Sequence, residues 1–328
     1  MTRVRSHLGV VVLASCALLA PAAAFQDSPK ADRRYSVGVV RADGVLIPFA
    51  EYDRGDWRRI WTGIARDASP VIPITLDDVD EDWWGHAGPS LQWMLWQRPG
   101  DTTKLTVTRP RVVATPCSAQ PALGTDYKHT LPLPPPSQVP YPKAGIATTA
   151  PVVFEPIQQV PAESVDWRRV KRALDDREFR TAEHERLTDM MWRHPMPEAM
   201  RDRMPIDLQA VWHVKDSRFF YFEAMRRYPD LNPPTGEPPC ELVTYVAGYF
   251  WEDTSEQLRP VDVDALISYC HMERASFLWP FGVIREGAKS YWLFQSAGWT
   301  GEVYGITEPI AARGELKPHL WHVAGRCR

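Results

Sequence analysis

The stretch Tyr35-Ser36-Val37-Gly38-Val39-Val40-Arg41-Ala42-Asp43-Gly44-Val45-Leu46-Ile47-Pro48-Phe49-Ala50-Glu51-Tyr52 reads as two apolar strands folded about an Asp-Gly turn. Asp-Gly suits a tight hairpin, because its central positions need positive φ, which glycine adopts freely and aspartate tolerates. Leu91 to Gln97, Lys104 to Thr108 and Arg111 to Cys117 continue in short strands. The pattern returns near the other end of the chain. Phe281-Gly282-Val283-Ile284-Arg285-Glu286-Gly287, leading to Phe294 and Trp299, echoes Val37 to Gly44, leading to Phe49 and Trp57.

The C-terminal part is strand-like almost throughout. Leu208 to Val214, Phe219 to Met225, Glu241 to Glu252, Val261 to Tyr269, Ser276 to Arg285, Ser290 to Gln295, Glu302 to Thr307 and Leu320 to Ala324 are rich in β-branched and aromatic residues. The predicted fold class is mainly β, with antiparallel sheets. Two architectures fit: a propeller-like ring whose first and last strands meet, or two β domains joined by the middle of the chain.

Prolines mark that middle. Leu131 to Pro142 carries six in twelve residues and Pro229 to Pro239 five in eleven, so both read as extended connections. The chain divides into residues 1–24, a leader; 25–130, an N-terminal β region; 131–205, a proline-rich and helical segment; and 206–328, a C-terminal β region. Ser164 can cap a helix through about Phe179, and Thr181 a second one ending before Pro195. Val170 with Leu174, and Leu187 with Met190 and Met191, form apolar stripes that predict a docking face on the β body.

Residues 1–24 have the layout of an export signal. Arg3 and Arg5 precede the apolar run Leu8 to Leu19, and Ala22-Ala23-Ala24 offer a cleavage site before Phe25. The run is too short for a single-pass anchor. Leu13-Ala14-Ser15-Cys16 also resembles a lipoprotein box, but Ala17 to Phe25 stay apolar where a lipidated cysteine is followed by a polar tether. Ordinary cleavage is favoured over a lipid anchor at Cys16. The expected location is periplasmic or secreted.

Losing two arginines and no acid with the leader takes the formal charge from −3 to −5. A mildly acidic chain argues against nucleic acid or an anionic membrane as main partner. Cys117, Cys240, Cys270 and Cys327 remain, and in an oxidising compartment an even number favours two disulfides. Cys240 and Cys270 lie symmetrically about the turn-like stretch Asp253 to Gln257, which pairs them and leaves Cys117 for Cys327.

Tryptophan, at fourteen, outnumbers tyrosine and phenylalanine at eleven each. The densest group, Trp83, Trp84, Trp93 and Trp96, follows the acidic run Asp77 to Asp82. With Asp80 and Asp82 it forms a candidate ligand surface, because a sugar stacks its C–H face on an indole and bonds its hydroxyls to carboxylates. Core packing competes with that reading, and is favoured for Trp251, Trp279, Trp292 and Trp321, which lie in strand-like runs.

Asp78, Asp80 and Asp82 have the alternate spacing of a calcium loop, but Trp83 and Pro89 stand where an EF-hand needs glycine and glutamate. A solvated acidic turn is favoured over a different calcium site, and no other cofactor is expected. His319 and His322, three apart in a strand, should face opposite ways and not share a metal. His184 and His194 could flank a helix, but HExxH is missing, as are GxSxG, SxxK, a P-loop and GxGxxG.

The leading reading is therefore an exported β-rich binding or scaffold module without catalysis, its partner a glycan or another exported protein. The alternative is a carbohydrate-active hydrolase with paired carboxylates, for which Asp53, Asp82 and Glu252 are the first candidates. Peptide mapping without reductant is expected to return Cys240 joined to Cys270 and Cys117 joined to Cys327. A Cys117 to Cys240 peptide would refute that pairing.

Overall fold

The computed structural model describes residues 33–60, 92–97, 102–115, 118–135, 141–174, 176–215, 217–229, 242–269, 277–298 and 301–326. The opening hairpin forms as read: β1 (Arg34–Arg41) and β2 (Val45–Asp53) pair antiparallel, with Gly44 at φ 79° in the turn. They lie within an eight-stranded N-terminal sheet. Its other members are β3 (Asp56–Arg59), β4 (Trp93–Trp96), β5 (Thr102–Leu105), β6 (Val107–Thr115), β7 (Ser118–Thr125) and β8 (Lys143–Thr148), in the order β5-β4-β8-β1-β2-β7-β6 with β3 on β2.

Two five-stranded sheets follow. One joins β10 (Gln158–Gln159) to β11 (Asp207–His213), β12 (Phe219–Tyr228), β13 (Leu242–Glu252) and β14 (Leu258–Tyr269). The other, the central sheet, has the order β18-β17-β16-β15-β9, from β9 (Val153–Glu155), β15 (Phe277–Glu286), β16 (Lys289–Gly298), β17 (Gly301–Ile310) and β18 (Glu315–Arg326). The helices α1 (Val165–Ala173), α2 (Asp176–Asp189) and α3 (Glu198–Arg201) precede β11.

Side-chain alternation stacks these elements in layers. In the central sheet Ile284, Tyr291, Leu293 and Ile306 pack toward the N-terminal sheet, while their neighbours Val283 and Trp292 pack toward Trp212, Tyr221 and Tyr249. The outer five-stranded sheet repeats this, with Phe222, Val246 and Phe250 meeting Trp167, Val170, Leu174 and Phe179 of the helices. The architecture is thus mainly β and antiparallel, as the sequence predicts, but the sheets are stacked face to face instead of arranged as propeller blades. The repeated hairpins, β1 with β2 and β15 with β16, sit in facing sheets, and each carries a register shift beside its glycine, Gly38 or Gly282.

Residues 143–159, within the segment read as an extended connection, supply a strand to every sheet: β8, β9 and β10. Elsewhere some strand prolines stand in regular pairing, as Pro110, Pro121 and Pro309 do, while others mark irregularities. Pro48, Pro260, Pro280 and Pro318 each lie where the pairing register shifts, so their missing N–H interrupts no regular ladder.

Ser164 caps α1 as expected, its hydroxyl accepting from the Trp167 N–H at 3.2 Å. The first helix ends earlier than its apolar pattern suggests, at Ala173 instead of about Phe179. Leu174 leaves helical backbone at ψ 64°, and α2 has already begun at Asp176. Leu187 is buried, but Met190 and Met191 are not part of the docking face, at 44% and 94% exposed. The helix stops at Asp189, and Met191 takes φ 49°, which turns the chain outward.

What ties α2 to the sheet is Glu183, 1% exposed and not at a helix start. Its carboxylate accepts from the hydroxyls of Tyr228 and Thr244, each at 2.7 Å, and pairs with Arg201. The cysteines lie outside the described residues. The strands leading toward them do approach one another: Leu242 faces Tyr269 in the β13 and β14 pairing, and Thr115 Oγ1 donates to the Ala324 carbonyl at 2.7 Å.

Glu183→Ala leaves Arg201, Tyr228 and Thr244 without their shared acceptor. Urea unfolding is expected to show a loss of about 3–5 kcal/mol, the usual consequence of breaking a buried ionic network from one side.

Candidate functional site

A cavity of about 480 Å³ opens between the N-terminal and central sheets. The N-terminal sheet contributes Trp96 at the end of β4, Gln97 after it, and Tyr141 to Gly145 leading into β8. The central sheet contributes Phe154 of β9, Trp279 and Phe281 of β15, and Gln295 and Ala297 of β16. Two close approaches fix the aromatic walls. A Cβ on Gly145 would lie 2.2 Å from the Trp96 carbonyl oxygen, and one on Gly282 would lie 2.2 Å from the Phe154 ring, so glycine lets backbone and ring come this near. Trp96 Nε1 donates to Thr148 Oγ1 at 3.0 Å, and Thr148 passes its own proton to the Ala150 carbonyl at 2.7 Å, which sets the indole's orientation. Trp96 then meets Phe154 at 5.9 Å between ring centroids.

Tyr141 is held from behind. The Arg41 guanidinium lies 3.9 Å from its ring centre while forking onto the Asp43 carboxylate at 2.9 and 3.1 Å. Lys143 is the cationic group of the cavity. Its ammonium donates to the Tyr141 carbonyl at 2.6 Å and pairs with Glu302 at 2.9 Å, and Tyr304 donates its hydroxyl to the same carboxylate. Burial holds the Lys143 pKa below the usual lysine value, opposed by Glu302. The Tyr304 hydroxyl is pushed far up by burial and by Glu302, so it remains a neutral donor.

Among the sequence-derived ligand residues, Trp96 reaches this cavity. Trp93 does not: it is fully buried in the core between the two sheets, because β4 alternates and sends Trp93 and Leu95 inward. Asp80, Asp82, Trp83 and Trp84 lie outside the described residues, as do Asp78 and the four cysteines. Trp292 is buried as read, but Trp279 is 57% and Trp321 46% exposed. Trp279 stands in the cavity wall, and Trp321 lies on the edge strand β18 against Phe294 at 5.2 Å.

Of the carboxylates proposed for hydrolysis, Asp82 lies outside the described residues, and Asp53 and Glu252 stand in different sheets. Asp53 is in the N-terminal sheet, where Arg54 at 3.0 Å lowers its pKa, with Arg58 at 3.5 Å; Glu252 is in the outermost sheet, bound by Arg169 at 2.7 Å. Among the described residues no three histidine, cysteine or acidic side chains group as metal ligands.

His319 and His322 do not face opposite ways. The register shift between Ile306 opposite Leu320 and Thr307 opposite Pro318 leaves His319 as an extra residue. Both rings meet aromatic residues between the two sheets: His319 stands edge-on to Tyr291 at 5.3 Å, and His322 lies parallel to Tyr304 at 6.2 Å. Each is engaged separately, His319 with Glu308 at 2.8 Å and His322 with Gln120 at 3.2 Å.

Tyr141, Lys143, Phe154 and Gln295 were not singled out by motif or composition. The first two fall among prolines, and their convergence depends on β8 pairing between β4 and β1. The chain matches no protein-family model, no curated protein and no solved structure.

Burial pushes the His322 pKa from 6.5 down to about 4, with Arg59 adding to the effect. The folded ring stays neutral while an unfolded one takes up a proton below about pH 6.5. This contribution to stability is complete above that value and falls as pH drops through the window to about 4, by about 3 kcal/mol. His322→Gln removes the titration. Urea unfolding of both forms at pH 7 and pH 4 is expected to show the variant losing about 3 kcal/mol less on acidification.

Proposed function

We propose that this chain is an exported binding module that holds a glycan, without catalysis, in the aromatic cavity between its two inner sheets. The observation that carries the reading is the wall itself: Trp96, Tyr141, Phe154, Trp279 and Phe281 surround a space of about 480 Å³ in which Gln97, Lys143 and Gln295 are the polar groups. An apolar hollow with a few fixed hydrogen-bonding groups is the usual form of a small-ligand site. Sugar rings suit aromatic walls, because their C–H faces stack on the rings while their hydroxyls need separate polar partners. Lys143 is already answered by Glu302, so the site has no uncompensated charge to favour an ionic ligand.

The acidic stretch around Asp80 and Trp84 remains part of the proposal only as sequence. Trp96 is the member of that group that lines the cavity. A retaining or inverting glycosidase needs two carboxyl groups about 5 to 9.5 Å apart across the cleft. The described lining supplies amide and aromatic groups instead, which favours retention over cleavage.

Export to the periplasm or outside the cell follows from the leader and fits a glycan partner. The same leader makes another exported protein the competing partner, but a concave aromatic hollow suits a small ring better than a protein surface.

The test is a glycan array probed with the full chain, followed by calorimetry on the best ligand. Trp279→Ala removes an exposed wall and should leave thermal unfolding unchanged while weakening the ligand about tenfold or more. Undiminished affinity in a folded Trp279→Ala protein, or an array without hits, would overturn the assignment.

A further inference from the structure

We infer that the cavity is shaped for a sugar carrying an acetamido group. The inference rests on the glycan reading above and narrows it to a class. Gln295 lines the cavity at 3% exposed, and its side-chain amide has no hydrogen-bond partner among the described residues. The amide is open to the cavity, and a ligand that displaces water from it without replacing the hydrogen bonds loses about 1–3 kcal/mol. A ligand that avoids this loss must bring an acceptor for the amide N–H and a donor for its carbonyl oxygen.

Lys143 adds a second requirement at the same floor. Gln295 is the cross-strand neighbour of Tyr304, and the Lys143 ammonium lies 6.0 Å from the centre of the Tyr304 ring. An ammonium has three N–H donors. Those directed at the Tyr141 carbonyl and at Glu302 account for two, which leaves one for an incoming acceptor.

Three common sugar substituents can be compared against this demand. A carboxylate would add a negative charge beside the already neutral buried pair of Lys143 and Glu302. A hydroxyl offers donor and acceptor but no apolar bulk for Ala297 and the Phe281 ring. An acetamido group offers a carbonyl oxygen for Lys143 and the Gln295 N–H and a methyl for the apolar wall, while a neighbouring ring hydroxyl can donate to the Gln295 oxygen. The sugar ring would then stack toward Trp279 at the mouth.

Calorimetry of the full chain with N,N′-diacetylchitobiose and with cellobiose, which differ in the acetamido groups, tests this directly. N,N′-diacetylchitobiose is expected to bind about tenfold tighter or more, and Gln295→Leu to remove most of that preference by weakening it more than it weakens cellobiose. Gln295→Asn, which keeps the amide and shortens its reach, should fall between, and decides the matter if the leucine variant does not fold. Equal affinity for the two sugars overturns the acetamido assignment and leaves the glycan reading standing. Binding of neither overturns it as well, and the array result then judges the glycan reading separately.

Discussion

The structure depends on one sheet being covered on both faces. Strands β15 and β16 send alternate side chains into two different cores, Ile284, Tyr291 and Leu293 one way and Val283 and Trp292 the other. Where such a sheet is covered, each polar group that enters it needs a partner of its own. This explains why Glu302 is met by both Lys143 and Tyr304, and why His322 is matched to Gln120. These pairs reach across from the N-terminal sheet and fix how the two sheets lie on each other. Buried ion pairs add little net stability, because desolvation offsets much of their attraction, so positional definition is the better account of the Lys143 and Glu302 contact.

The cavity stands where that packing gives out. Along β16 the inward side chains run from Tyr291 and Leu293, both fully buried, to Gln295 and then Ala297, so bulk shrinks toward the C-terminal end of the strand. On the opposing side β4 ends at Trp96 and β8 begins at Lys143, which supplies side walls rather than a filling. The aromatic rings around the gap are held by contacts behind them, Arg41 on Tyr141 and Thr148 on Trp96. A site with its walls fixed beforehand needs little reordering when a ligand enters, and binding energy is not spent on assembling it.

Much of the architecture was legible because strands advertise themselves locally. The Asp43-Gly44 turn, the glycine-marked echo at Gly282 and the aromatic runs of β12 and β13 each carry their signal within a few residues. The helical pair was visible through Ser164, yet its break at Leu174 was not, since that residue is buried and fits an apolar stripe equally well. The exposed turn at Met191 was hidden for the same reason: spacing identifies a face, but cannot say where the helix stops presenting it. The site was harder. Trp96 could be found from composition, whereas Lys143 lies beyond a proline cluster that reads as linker, and Gln295 is one inward position in a strand full of them. Only the pairing of β8 beside β4, and the stacking of one sheet on another, brings them to the same hollow. His319 shows a related gap, because alternation holds only where no extra residue interrupts the ladder.

The outermost position of β18 in the central sheet has its own significance. Twelve residues long, it pairs among the described strands with β17 alone, and it carries the exposed Trp321 and Val323. A strand of that length with an open flank would ordinarily act as a template for chain-to-chain addition and aggregation. Pro318 withholds a donor from the flank, Lys317 adds charge beside it, and two bulges against β17 bend the strand out of a flat register. The irregularity that redirects His319 therefore also takes the strand out of the flat register that edge-to-edge addition requires.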